Sequence, residues 1–197
     1  MAYDIQTYLL DRANIHDTIT KLCHAYDTAS PETLAAEVYA PEIELDYKAF
    51  LGASGPTRAE RGDWSRSVVD ILRPMTATQH LLAGVVAHLP QPGPSSPPAG
   101  DSTGSQGSAP PHERPETCRA VANVAASLVR EGARGGGLMQ NGGRYEFELV
   151  RIRELEARGQ NPWRIRFHKA VPTWEKGNWA VFSPPDLPPI YNSAGKD

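Results

Sequence analysis

The chain is short of the residues that several large classes of protein depend on. Its 197 residues include only two cysteines, Cys23 and Cys118, far apart and without C-x-x-C spacing, which excludes a disulfide scaffold and a thiolate metal site. A reducing cytoplasm is the expected compartment. Basic residues are not in excess: 20 Lys and Arg against 23 Asp and Glu leave a net charge of −3. Without a recurring Lys/Arg face the chain lacks the field that draws phosphate backbones, so a small-molecule partner is expected and a nucleic acid is not. No apolar run is long enough to cross a bilayer. The opening MAYDIQTYLLDRANIHD carries charge throughout and has no basic start, apolar centre or cleavage site, so no membrane partner or export is expected. Neither G-x-G-x-x-G nor a Walker loop occurs. GARGGGLMQNGG is glycine-rich, but no helical pattern follows it to receive a phosphate, so it reads as a turn.

The length suits a single domain spanning 1–197, with room for a sizeable core. Residues 90–116, PQPGPSSPPAGDSTGSQGSAPPHERPE, hold almost nothing that can be buried and cannot repay the entropy of ordering. They read as a disordered surface insertion within that domain, because a long loop adds little closure entropy. The Pro-rich tail, 183–197, reads as irregular.

Before the insertion, Ile15, Ile19, Leu22, Cys23 and Tyr26 recur at helical spacing, with Asp27 on the border of the stripe and His24 on the opposite side. Ser30-Pro31-Glu32 is a helix start, and the short helix it opens is expected to run to about Tyr39. EIELDYKAF alternates, placing Ile43, Leu45, Tyr47 and Ala49 on one strand face. Trp64, Val68, Ile71 and Leu72 mark a helix that Pro74 ends, and His80 then opens a strand on the same face as Leu82. After the insertion come three strand-like runs, CRAVANVAASLV, RYEFELVRIREL and WRIRFHKAVPTW, with QNGGR expected to turn the first pair and EARGQNP separating the second. Helices first and antiparallel strands later predict an α+β fold, helices covering one face of a curved sheet over a pocket. Trp163 and Trp174 read as core or rim packing, and Glu146 and Glu148 as solvated residues opposite Tyr145 and Phe147.

Four segments, HAYDT, ELDYKAFLG, TATQHLLAG and PWRIRFHKAVPTW, resemble the fungal scytalone dehydratases of the nuclear transport factor 2-like, or SnoaL-like, superfamily, in the same order and at similar spacing. The resemblance covers roughly residues 8–88 and 117–175. It implies a cone-shaped, curved mixed or antiparallel sheet with N-terminal helices enclosing a pocket. It also implies a lyase that removes water from a β-hydroxy ketone of the polyketide, melanin-type class, without metal or cofactor. Family tyrosines that hold a water against the substrate carbonyl match Tyr26 and Tyr47, the catalytic carboxylate matches Asp27, and one catalytic histidine matches His80. Phe50, Asn123 and Tyr145 are the expected substrate-binding residues, and a homo-oligomer, trimer or dimer, is implied.

One departure stands out. The strand that carries the family's second histidine, the one its carboxylate orients, here reads CRAVANVAASLV and has none, while the family's pocket serine and asparagine fall near Gly143 and Tyr145. His168, aligned with an apolar pocket residue, is a substitute if it faces inward. Alternation puts it on one face with Arg164 and Arg166, which equally suits an outward, charged face.

Elimination from a β-hydroxy ketone needs a base beside the carbonyl, a donor for the enolate oxygen and an acid for the departing hydroxide. Histidine, with an ordinary pKa of about 6.5, serves as base or acid; a carboxylate fixes its tautomer, and phenols supply donors. The plainer readings are a packed core histidine at 80, amphipathic core tyrosines and a solvated helix acid at 27. A metal held by His24, Asp27 and another His is disfavoured because His24 points away from Tyr26. A cyclase or isomerase, or a non-catalytic binding module, are the other uses open to such a cone.

Overall fold

The computed structural model describes residues 3–51, 55–92 and 113–183. Helix α1 (Ile5–Asp27) starts at Asp4, whose carboxylate accepts from the Thr7 N–H, and buries Ile15, Ile19, Leu22, Cys23 and Tyr26, the stripe its spacing predicts. Ser30 caps α2 (Pro31–Thr33) with Pro31 in the first turn. That helix does not continue to Tyr39: it widens into a π turn, Leu34–Val38, and hands over to strand β1 (Tyr39–Asp46). The strand ends earlier than expected, because Lys48–Leu51 forms a short helix, α3. Strand β2 (Thr57–Glu60), which no clear alternation announces, and helix α4 (Arg61–Leu72) follow.

The remaining strands are β3 (Ala77–His88), β4 (Thr117–Val129), β5 (Leu138–Arg151) and β6 (Trp163–Gly177), with helix α5 (Arg153–Glu156) between the last two. They form one sheet in the order β2-β1-β6-β5-β4-β3. All neighbours are antiparallel except β1 and β6. Helix α1 packs on both β3 at one edge and β6 in the middle, so the sheet curls around it with the right-handed twist common to strands. The inner face of β4 carries Cys118, Ala120, Ala122, Val124 and Ala126, all buried. This floor of small side chains leaves room for longer ones from its neighbours. Trp163 is core, whereas Trp174 is half-exposed.

Three expectations need correction. The hairpin between β4 and β5 is turned by residues 130–137, where Gly132, Gly135 and Gly136 have positive φ, and QNGGR lies inside β5. There Gly142 pairs with Trp174 and Gly143 with Pro172, leaving Thr173 as an extra residue, a β-bulge. A second bulge sets Ile165 opposite Leu149 and Phe167 opposite Glu148, so Arg166 is the extra residue. Strict alternation is broken at that point, and His168 joins the buried face of Trp163 and Ile165 while Arg166 is exposed beside Glu148. Arg164, His168 and Arg166 therefore do not share a face. Finally, Asn123 is exposed, because Ala122 and Val124 on either side of it point inward.

Beyond Ser183 the tail lies outside the described residues, as do residues 93–112 of the expected insertion. Its last residues are docked: Arg114 bonds Asp11 of α1, and the Pro115 carbonyl accepts from Arg151. No described helix is long and apolar enough to cross a membrane.

Candidate active site

Asp27 is the last residue of α1, where the helix dipole disfavours a carboxylate. Two bonds from β3 offset that cost. His80 Nδ1 lies 2.6 Å from Asp27 Oδ1, and the His80 backbone N–H donates to Oδ2 at 2.8 Å. Burial alone pushes the Asp27 carboxyl up, but the bonds from the His80 side chain and backbone outweigh it and hold the group below the usual carboxylate value. An ionised carboxylate accepts only, so Nδ1 carries a proton, and in the neutral ring the lone pair is the one on Nε2. The backbone bond fixes the register of the edge strand against the helix end, which orients the ring as well as its tautomer. The pair borders an open groove of about 630 Å³ between α1 and β3, lined by Thr20, Cys23, His24 and Thr78 among others. His24 is exposed there.

Inward from the pair, the Tyr26 ring sits 5.5 Å from that of His80, edge on. The Tyr26 hydroxyl is 2.8 Å from that of Tyr39 and 3.3 Å from that of Tyr47, and Tyr47 in turn is 3.2 Å from His168 Nδ1. The His168 ring is boxed by Tyr145 at 4.6 Å, Phe147 at 4.8 Å and Tyr47 at 5.2 Å between ring centres. Burial drives its pKa down to about 3, so it is a neutral imidazole. Its Nε2 is buried with no hydrogen-bond partner. Burial likewise raises the Tyr26, Tyr47 and Tyr145 phenols well above their ordinary value, which keeps them as proton donors.

Five of the expected site residues thus fall into two adjoining groups: Asp27 with His80, and Tyr26 and Tyr47 with His168. Tyr145 joins the second, Asn123 joins neither, and Phe50 lies on α3 with its side chain outside the described residues. The missed member is Tyr39, which completes the phenol chain. Alternation does not announce it, since Ala40 beside it is buried as well and the pairing of β1 with β6 shifts register between Tyr39 and Glu44. Among the described residues, no three His, Cys, Asp or Glu side chains are grouped to hold a metal.

A curled mixed sheet wrapped on an N-terminal helix is the nuclear transport factor 2-like fold. Within it, the chain belongs to the SnoaL-like domain family, whose model matches residues 7–169. Among solved structures, it is similar to the Kfla4162 protein of Kribbella flavida (19% identity, TM-score 0.65, 87% of this chain and 95% of that one). It is also similar to a candidate scytalone dehydratase of Novosphingobium aromaticivorans (15%, 0.59, 87% and 89%). A third is the hexachlorocyclohexane dehydrochlorinase LinA-type3 of Novosphingobium barchaimii (12%, 0.56, 86% and 90%). No curated protein matches the sequence.

Proposed function

We propose that this chain is a cofactor-independent lyase that removes water from a hydroxylated, partly reduced aromatic ketone of polyketide type. The observation that carries the reading is the Asp27–His80 pair, fixed by two bonds at 2.6 and 2.8 Å, next to a chain of phenols. His80 Nε2 takes the proton from the carbon beside the carbonyl, and Asp27 stabilises the imidazolium that forms. Tyr26 and Tyr47 present hydroxyl donors for the enolate oxygen. The C–O bond at the β carbon then breaks, and hydroxide leaves as water with a proton returned from His80. The new C=C bond completes an aromatic ring after tautomerisation, so the step runs downhill. Two proteins of like fold carry names that denote elimination, of water in one and of hydrogen chloride in the other.

The test is direct. A 3-hydroxytetralone, which becomes a naphthol by losing one water, is incubated with the protein and followed by mass and naphthol fluorescence. Turnover is expected, falling about 100- to 10,000-fold in His80→Gln with thermal unfolding unchanged. A rate no faster than buffer, or a His80→Gln rate equal to wild type, would overturn the reading.

A further inference from the structure

His168 is a fully buried titratable side chain that the proposed chemistry leaves without a task. It stands in the middle of the sheet, opposite Leu45 on β1 and Phe147 on β5, and Tyr47 follows two residues after Leu45. Among the described residues, its Nδ1 meets the Tyr47 oxygen at 3.2 Å and its buried Nε2 meets no partner. Burial keeps the ring neutral, so it carries a single N–H, on one nitrogen or the other.

The two tautomers have opposite consequences for the phenols. Three contacts join four side chains in a line: His168 to Tyr47, Tyr47 to Tyr26, and Tyr26 to Tyr39. Each contact uses one proton. With the ring proton on Nε2, the hydroxyl protons of Tyr39, Tyr26 and Tyr47 fill every contact, and the Tyr47 proton is spent on Nδ1. An N–H is then also left buried without an acceptor. With the ring proton on Nδ1, there is one donor more than there are contacts, and one hydroxyl proton is left over. Buried backbone N–H groups without a partner are rarer than bare acceptors, and the same ordering puts the proton on Nδ1. The spare proton belongs to Tyr47, because Tyr26 is 3% exposed and Tyr39 fully buried, whereas Tyr47 is only partly buried. Tyr47 thus accepts from His168 and from Tyr26, which polarises its own O–H and strengthens it as a donor.

We infer that His168 is a positioning residue, whose Nδ1–H donates to the Tyr47 oxygen and so fixes that phenol while leaving its proton free for the oxygen of a bound ketone. The role toward the ketone rests on the function proposed above; the direction of the hydrogen bond stands without it.

Nitrogen NMR of wild-type protein with isotopically labelled histidine reads the tautomer at neutral pH, whether or not any variant folds. The His168 ring should show its proton on Nδ1, and Tyr47→Phe, which removes the acceptor, should shift that signal. With the 3-hydroxytetralone as substrate, His168→Phe, which keeps a ring among Tyr145 and Phe147, should lower kcat about 10- to 100-fold and leave KM within about twofold. His168→Asn, whose amide N–H stands near the place of Nδ1, should recover most of the loss. Thermal unfolding separates this from packing: His168→Phe should be the more stable variant and His168→Asn the more active, an order that a purely structural residue does not give. A proton on Nε2, a His168→Phe as active as wild type, or a His168→Asn no more active than His168→Phe would overturn the inference. An Nδ1 proton that responds to Tyr47→Phe, in a protein that does not dehydrate the hydroxyketone, supports the assigned bond and removes the lyase reading alone.

Discussion

His168 lies among Tyr47, Tyr145 and Phe147 where water does not reach it, and burial lowers its pKa from 6.5 to about 3. The sign of the consequence is fixed. Below about 6.5 the unfolded chain takes up a proton at this residue, and the folded chain does not until about 3, so unfolding is favoured by acid. Stability contributed by the neutral imidazole is complete above 6.5 and is lost as pH falls between those values, at up to about 1.4 kcal/mol per pH unit for one proton. Urea unfolding of wild type from pH 7 to 4.5 should show that slope, and His168→Leu should be flatter over the same range. Parallel curves would mean that His168 is not held neutral. The inward position of this residue was not readable from alternation, because one extra residue at Arg166 reverses the parity. Asp27 and His80 were more legible: helical spacing put Asp27 at the edge of the apolar stripe, and the partner on β3 needed only a strand beginning near it.

At the scale of elements, the two bulges between β5 and β6 do most to shape the interior. Periodicity finds strands but not the extra residue that a bulge inserts, and so the sequence misplaces the faces just where the interior is built. QNGGR illustrates the difficulty. Its Asn-Gly pair is a strong hairpin signal, yet the turn forms earlier, where three glycines adopt positive φ, and the glycines at 142 and 143 serve close approach instead. A methyl at Gly143 has nowhere to go, since both Val171 and Pro172 backbone atoms lie within 3 Å of it. Gly143→Ala should therefore cost about 1–3 kcal/mol, read as a lower unfolding midpoint in denaturant with an unchanged slope. A variant as stable as wild type would mean that the bulge relaxes freely.

Across the whole molecule, a buried ion network holds distant parts of the chain together. Asp11 of α1, fully buried, accepts from Arg151 at 2.6 Å, Arg114 at 3.1 Å and the Trp163 indole at 3.1 Å, while Glu156 of α5 receives Arg151 and Arg114. Bonds from Arg151, Arg114 and Trp163 outweigh the burial that would raise the Asp11 carboxyl, and hold it below its ordinary value. The apolar stripe of α1 gave no hint of this acid, whose partners are more than 100 residues away in sequence. Asp11→Ala leaves the buried Arg151 with Glu156 as its remaining carboxylate and the Trp163 N–H without its acceptor, a change that costs up to about 3–5 kcal/mol. Thermal unfolding should register it as a large drop in midpoint.

The same network predicts how the Pro/Gly/Ser-rich stretch can be shortened. His88 pairs with Arg119 across β3 and β4, so the strands on either side already form a hairpin, and Arg114 anchors the returning chain to Asp11. Replacing residues 93–112 by six Gly/Ser residues leaves the pairing of β3 with β4 and the Arg114–Asp11 bond in place. Closing a shorter loop costs less entropy, by about 1 kcal/mol for that reduction. The shortened protein is expected to unfold in one transition at a midpoint equal to or above that of wild type. Extending the deletion to remove Arg114 should reverse the gain, because Asp11 then loses one of its two cations. Two separate transitions in the shortened chain, or a midpoint well below wild type, would show that the segment contributes to the core after all.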